Sequence, residues 1–178
     1  IANVYAVGDC AEFDEHPTGR RNIEQVWYTG RMMGETLAQT ICNNKTAYRP
    51  GVWFNSAKFF DIEYQTYGWV FSELQNNEAD FYWQHPTKEI CLHLVFNKTT
   101  QQLLGINTFG IRLRHEVCQR WINEGKTINY SIEHLKDANF DPEFYKQYEA
   151  EIVAQYNQEN GTKLRAKKRD WKRIFAKK

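Results

Sequence analysis

Paired cysteines are missing from this chain. Its 4 cysteines, Cys10, Cys42, Cys91 and Cys118, are widely spaced and form no Cys-x-x-Cys, which excludes a zinc knuckle and a local redox disulfide. Free cysteine packs as a small hydrophobe, so buried free thiols are expected. No apolar run nears the roughly 20 residues that span a bilayer, and no charged, apolar and small-residue leader opens the chain, so a cytoplasmic protein is expected. His16, His93, His115 and His134 are scattered without a His-x-x-x-His pair, and no metal site is expected. Glycine (10) and proline (4) are sparse, and no Gly-x-Gly-x-x-Gly occurs. A complete dinucleotide-binding unit therefore has no signature here.

Aromatic residues are plentiful. They make up 15% of the 178 residues, with 6 Trp, 10 Tyr and 11 Phe, and such side chains favour half-buried sheet surfaces and interfaces. The length suits one core of ordinary size, or one domain with an appendage. The formal charge of +1 conceals an asymmetry. Residues 161–178 hold nine cations against Asp170, a net +8, which leaves −7 for the rest. The acidic body repels phosphate, so the aromatic stripe Trp53, Phe54, Phe59, Phe60, Tyr64, Tyr67, Trp69 and Phe71 is expected under helices or a partner rather than on nucleic acid.

The chain begins with an apolar segment, residues 3–8, that reads as a strand closed by Gly8-Asp9. A carboxylate placed so would stand at the carboxyl edge of a sheet, where α/β folds bind nucleotides, and Gly8 would let a ligand approach the backbone. A charged loop over 12–21 with turn chemistry at Pro17 and Gly19 leads to a helix over Ile23–Cys42, with Asn22 as a cap and Asn43-Asn44 as its stop. Gly30 and Gly34 would let one helix face meet backbone or a flat ligand.

From Gly51 the apolar period changes to two. Strands are expected over 52–56 and 59–68 with a bend near Ala57-Lys58, then over 79–84, 89–96 and 103–109, forming an antiparallel meander. Helical spacing returns at Leu113, Val117, Cys118, Trp121 and Ile122 and stops at Gly125. Ser131 reads as the cap of a short turn, and Asp141-Pro142 as the start of a last helix over 142–158 that Asn160-Gly161 ends. The tail 163–178 mixes Leu164, Trp171, Ile174 and Phe175 with cations, which as a helix would be basic and amphipathic.

Four stretches carry a family resemblance. Residues 3–11, ending Val7-Gly8-Asp9-Cys10-Ala11, resemble the second FAD-binding motif of FAD-dependent pyridine-nucleotide oxidoreductases. Ile23-Glu24-Gln25-Val26-Trp27 through Gly30 and Gly34 is similar to the helix that follows it in ferredoxin and rubredoxin reductase-like members. The run from Tyr48 to Gly68, with Asp61 and Gln65, resembles the opening of their C-terminal domain, and Ile132–Phe144 the close of related interface domains. The resemblance implies that the chain is the C-terminal portion of a longer flavoenzyme, inactive alone, whose nucleotide fingerprints precede Ile1.

It further implies FAD as cofactor of the intact enzyme, with its place vacant in this fragment, NAD(P)H as substrate and a small electron acceptor, with Gly8, Asp9, Glu24, Gln25 and Trp27 at the flavin, Asp9 on its ribityl chain. No catalytic residue is assigned. Gln25 departs from the Glu of many relatives. The turn His85-Pro86-Thr87 is similar to a segment that supplies a general acid/base in glutathione reductase-like enzymes, but it links two strands early in the sheet, where a Pro86 turn suffices.

The expected fold is α+β: a mainly antiparallel sheet of about five strands with helices on one side, after a strand and long helix left over from an FAD domain. The expected divisions are 1–47, 48–160 and the basic tail 161–178. Expected partners are a second copy or an electron-carrier protein at the sheet, and a membrane surface at 163–178. A non-enzymatic oligomerisation or carrier-docking module is the alternative.

Overall fold

The computed structural model describes residues 3–14, 21–140 and 146–168. Pro17, Gly19, His16, the Asp141-Pro142 helix start and the tail beyond 168 lie outside the described residues. The chain separates into two units, Ile1–Asn55 and Ser56–Lys178.

The first unit is organised by helix α1, Trp27–Ile41. It starts four residues later than its apolar spacing predicts, because the preceding residues are engaged elsewhere. The Asn22 amide donates to Glu12 Oε1 instead of capping the helix, and Glu12 and Ile23 form an isolated antiparallel bridge. Extended Val26 occupies the cap position and supplies no side-chain acceptor. At the other end Asn43 adopts φ 65°, and the Asn44 amide donates to Gln39 O at 2.8 Å, so the Asn pair closes the last turn in the left-handed manner its chemistry allows.

The strand expected over residues 3–8 is not formed. Asn3 and Gly8 have φ of 60° and 105°, and no strand among the described residues pairs with the segment. Without a ladder partner an apolar run has no sheet to join.

The second unit is built on a five-stranded sheet: β1 Phe54–Phe59, β2 Ile62–Gly68, β3 Glu78–Gln84, β4 Cys91–Asn97 and β5 Leu103–Phe109. The strand β1 begins at the end of the first unit. Its link to β2 turns at Phe60-Asp61, not at Ala57-Lys58, and Phe60 takes φ 52° there. The order is β1-β2-β5-β4-β3, so the sheet is not the expected simple meander. Strand β5 inserts between β2 and β4, antiparallel to both.

Two glycines permit that crossing. A Cβ on Gly68, which has φ 66°, would lie 2.1 Å from Leu104 O, and one on Gly105 would lie 2.2 Å from Trp69 O. The chain leaving β2 thus passes over β5 at backbone contact, which only glycine allows.

The register puts Gln65, Tyr67, Phe81, Trp83, Leu92, Leu94, Ile106 and Thr108 on one face. All are buried. Helices α2 His115–Asn123, α3 Ile128–Glu133, α4 Leu135–Ala138 and α5 Glu149–Asn160 follow the sheet, with α2 packing on β2 and β5 and α5 on β3. Val117, Cys118 and Trp121 from α2, Ile128 and Ile132 from α3, and Ile152, Val153 and Tyr156 from α5 complete the core. The Gln65 carboxamide oxygen accepts the Leu113 amide at 2.6 Å and the Tyr67 hydroxyl donates to Leu113 O at 3.3 Å, so these two polar side chains of the covered face end the loop into α2.

Thr127, not Ser131, caps α3, accepting the Tyr130 amide. Gly161 in the left-handed region closes α5, as Asn160-Gly161 predicts, although α5 itself starts at Glu149 rather than at Pro142. Residues 162–168 are neither helix nor strand. Over this stretch the tail does not take the helical form in which it would be amphipathic, because the Asn157 side chain of α5 and the Glu133 carbonyl of α3 hold the backbone in another path.

Candidate functional site

In the first unit the Gly8-Asp9 turn lies against the start of α1. A Cβ on Gly30 would be 3.6 Å from Gly8 Cα and 4.0 Å from Asp9 N. The Ala11 amide returns to Gly8 O at 3.2 Å, which folds the chain tightly after the aspartate. Asp9 is exposed. The helix beside it has no side-chain cap and no acidic residue in its first turn, so the positive end of the helix dipole is not offset locally by a carboxylate of that turn. Backbone amides of such a turn favour an anionic or electron-rich group.

The five residues singled out by sequence separate into two kinds. Gly8 and Asp9 form the turn, and Gln25 and Trp27 are exposed just before and at the first helical residue. Trp27 leaves 68% of its surface in solvent, is edge-on to Tyr28 at 5.2 Å, and carries the Arg31 guanidinium 5.6 Å from its ring centroid. Glu24, in contrast, is only 3% exposed. Its carbonyl accepts the Thr29 hydroxyl at 3.2 Å and the Val26 amide at 2.9 Å, so the residue shapes the bend that leads into α1.

A second feature had no sequence signature of its own. A cleft of about 250 Å³ opens in the first unit between Tyr5, Ala6, Val7, Phe13, Tyr48 and the Met33, Thr36, Leu37 and Thr40 face of α1. None of Gly8, Asp9, Glu24, Gln25 or Trp27 lines it. The apolar spacing of Met33 and Leu37 announced a buried face, but the cleft depends on how residues 5–7 pass that face, which no local pattern encodes.

The sheet face opposite the helices offers an aromatic run and a polar patch. Phe59 and Tyr64 stack at 5.6 Å with 9° between planes, and Tyr64 meets Phe109 at 6.0 Å. Phe59 and Phe109 are exposed. Beside them His93 Nε2 lies 2.8 Å from Asp80 Oδ2, with Tyr82 edge-on to the imidazole at 5.8 Å. Partial burial and the neighbouring Cys91 thiol raise the Tyr82 phenol above its ordinary range. No group of three or more potential metal ligands gathers among the described residues.

His85 is structural: its Nδ1 accepts the Thr87 amide at 3.2 Å and its ring is edge-on to Trp83 and Tyr148. All four cysteines are free, but only Cys118 is buried, and burial raises its thiol far above the usual range. The expectation of buried thiols fails for Cys10, on the exposed turn after Asp9, and for Cys42, at the solvent end of α1. No helix among the described residues is long and apolar enough to cross a membrane.

No family model and no curated protein matches the sequence. Solved structures do. An NAD-dependent persulfide reductase from A. fulgidus superposes with a TM-score of 0.63 at 19% identity, covering 88% of this chain and 32% of that one. A pyridine nucleotide-disulfide family oxidoreductase from Enterococcus faecalis V583 gives 0.57 at 20% identity over 90% and 41%, and reduced Bacillus anthracis CoADR-RHD gives 0.52 at 19% over 88% and 31%. The α+β fold is thus one that oxidoreductases contain as a part. In particular, it is the fold of a portion of pyridine nucleotide-disulfide oxidoreductases, and the chain spans between 31% and 41% of the length of these solved proteins.

Proposed function

We propose that the chain serves an FAD-dependent NAD(P)H oxidoreductase that passes electrons to a small acceptor, as the C-terminal part of that enzyme. One observation carries the reading: the exposed Asp9 turn abuts the first turn of α1, whose positive end has no side-chain cap.

The residues fit a flavin. A hydroxylated chain would find an acceptor in the Asp9 carboxylate, and the absence of a Cβ on Gly8 leaves the turn open, with nothing within 4 Å of that position. The electron-rich edge of an isoalloxazine ring would be stabilised by the α1 amides and dipole. Gln25 and Trp27, both exposed, would border the ring, while Glu24 would act from beneath by holding the bend. FAD, when bound, supplies the acceptance of a hydride and its release as electrons. This chain's residues bind and orient the group.

The test is FAD binding by the protein as naturally produced, followed by flavin absorbance and fluorescence. Asp9→Ala is expected to weaken binding about tenfold, the scale of one charge-assisted hydrogen bond. A protein that takes up no FAD, or one whose Asp9→Ala variant binds it equally, overturns the reading.

The aromatic run Phe59–Tyr64–Phe109 favours a second reading, in which the open sheet face docks a second copy or an electron-carrier protein without catalysis of its own. Exposed apolar faces of this kind mark interaction surfaces. Light scattering decides it: a strict monomer that retains no carrier protein counts against it, and a dimer dispersed by Phe59→Asp supports it.

A further inference from the structure

The first residues of the basic tail are built into the second unit. Asn157 on α5 holds them with its side chain: Oδ1 accepts the Thr162 hydroxyl at 2.7 Å and the Leu164 amide at 2.8 Å, and Nδ2 donates to Leu164 O at 3.0 Å. Farther along, the Lys167 amide donates to Glu133 O at 2.7 Å and its ammonium pairs with the Glu133 carboxylate at 2.9 Å. The strap crosses from α5 to α3 under fixed contacts.

Its side chains alternate. Thr162, Leu164 and Ala166 are half-buried, whereas Lys163, Arg165, Lys167 and Lys168 are exposed. Lys167 has its carboxylate partner. Lys163, Arg165 and Lys168 have no ion pair among the described residues. Lys163 and Arg165 alternate with the half-buried residues, and exposed Lys168 follows the paired Lys167 directly. The result is a cationic comb fixed in place.

We propose that this strap, 162–168, is a docking surface for an anionic lipid bilayer. A merely solvated polybasic end has no use for hydrogen bonds that hold its backbone at the Leu164 amide and carbonyl and the Lys167 amide, and holding Lys163, Arg165 and Lys168 outward removes ordering entropy from any later encounter with a charged plane. The −7 of residues 1–160 against the +8 of 161–178 makes the tail the part of the sequence that an anionic surface attracts. The sequence that follows decides between lipid and other polyanions. Residues 169–178 add Trp171, Ile174 and Phe175 to further Lys and Arg, the combination that suits the headgroup boundary, where cations meet phosphate and apolar rings enter the acyl margin. An acidic protein partner offers no such apolar margin by default. The inference is independent of the flavin reading.

Co-sedimentation of the full chain with phosphatidylcholine vesicles, with and without phosphatidylserine, tests it. Binding is expected only with phosphatidylserine and is expected to fall as salt rises. Each cation near such a surface accounts for roughly a fivefold change, so the Lys163→Gln, Arg165→Gln, Lys168→Gln triple variant should bind about a hundredfold more weakly. Its thermal midpoint should stay put, since these side chains touch solvent. Asn157→Ala, which releases the strap but keeps every charge, should lose several-fold. No binding to phosphatidylserine vesicles overturns the proposal. So does an unchanged affinity in either variant, or tighter binding to a DNA duplex or an acidic protein than to the vesicles at equal salt.

Discussion

The two units differ in how much apolar core they bury, while both leave large apolar side chains exposed. In Ser56–Lys178, Val95, Ile106, Val117, Cys118, Ile128, Ile132 and Ala138 are wholly buried, and the large Trp121 is 2% exposed. In Ile1–Asn55 only Met33 is a buried hydrophobic residue among those described, while Val4, Tyr5, Val7, Trp27 and Ile41 are exposed. Burial of apolar area is the main favourable term in folding. The second unit therefore has the means of its own stability beside its exposed Phe59 and Phe109, whereas the first presents surface with little core beneath it. A solvent-facing tryptophan beside an uncapped helix and an apolar cleft are features a core would not leave uncovered.

The largest test of that contrast is to remove core from each unit. Trp121→Ala should cost about 3–5 kcal/mol, the transfer of the indole plus the cavity left behind, read as a fall in denaturant midpoint at unchanged slope. Met33→Ala, beside an existing cleft, should cost no more than about 2 kcal/mol, the low end of such truncations. Equal losses would break the comparison.

The next test addresses the crossover. Gly105→Ala puts a methyl into the Trp69 carbonyl, a backbone atom that cannot swing aside. Overpacking of this kind costs about 1–3 kcal/mol, whereas Gly34→Ala in the first unit, where nothing lies within 4 Å of the added methyl, should stabilise α1 by about 1 kcal/mol through helix propensity. Thermal unfolding of the two variants should move in opposite directions.

A smaller effect concerns pH. Burial holds the His115 imidazole below its ordinary value, against the opposing pull of Glu116, and the ring lies 5.6 Å from that of Tyr67. Above the unfolded value of about 6.5 both states are neutral and the histidine costs nothing. As pH falls through that value the unfolded chain takes up a proton that the folded chain binds less readily, so stability declines until the lower folded value is passed. Unfolding measured from pH 7.5 to 5 should show this slope, and His115→Gln should flatten it.

These sites also mark how far the sequence is readable. Strand β5 spans the residues its alternation predicts, and Gly125 and Gly161 stand beyond α2 and α5 as end signals, because periodicity and left-handed caps are local chemistry. The strand order was not legible: the meander fails at Gly68 and Gly105, whose meaning depends on contacts with Leu104 and Trp69 across strands. Asn22 shows the same limit, since it caps nothing once Glu12 is in reach. Of the candidate site, the Gly8-Asp9 turn and the exposed Trp27 were visible as residue types. The burial of Glu24, the cleft against Met33 and Leu37, and the pinning of the basic strap by Asn157 all arise from segments meeting in space.

The smallest effect is the most diagnostic for the first unit. Trp27→Ala removes the largest side chain of α1 from a position that is 68% exposed, and surface changes away from caps and cores usually stay within about 0.5 kcal/mol. Part of the ring does touch Tyr28 and the Arg31 stem, while alanine is the better helix former, so the two contributions oppose each other. A midpoint unchanged within that margin is expected, together with weaker FAD binding. If unfolding instead shifts as far as in Trp121→Ala, Trp27 is a packing residue in solution, and the contrast between a core-rich unit and a core-poor unit no longer stands. A stable variant that binds FAD as before would leave the contrast intact and remove Trp27 from the flavin's border, leaving Asp9 and the α1 amides to carry it.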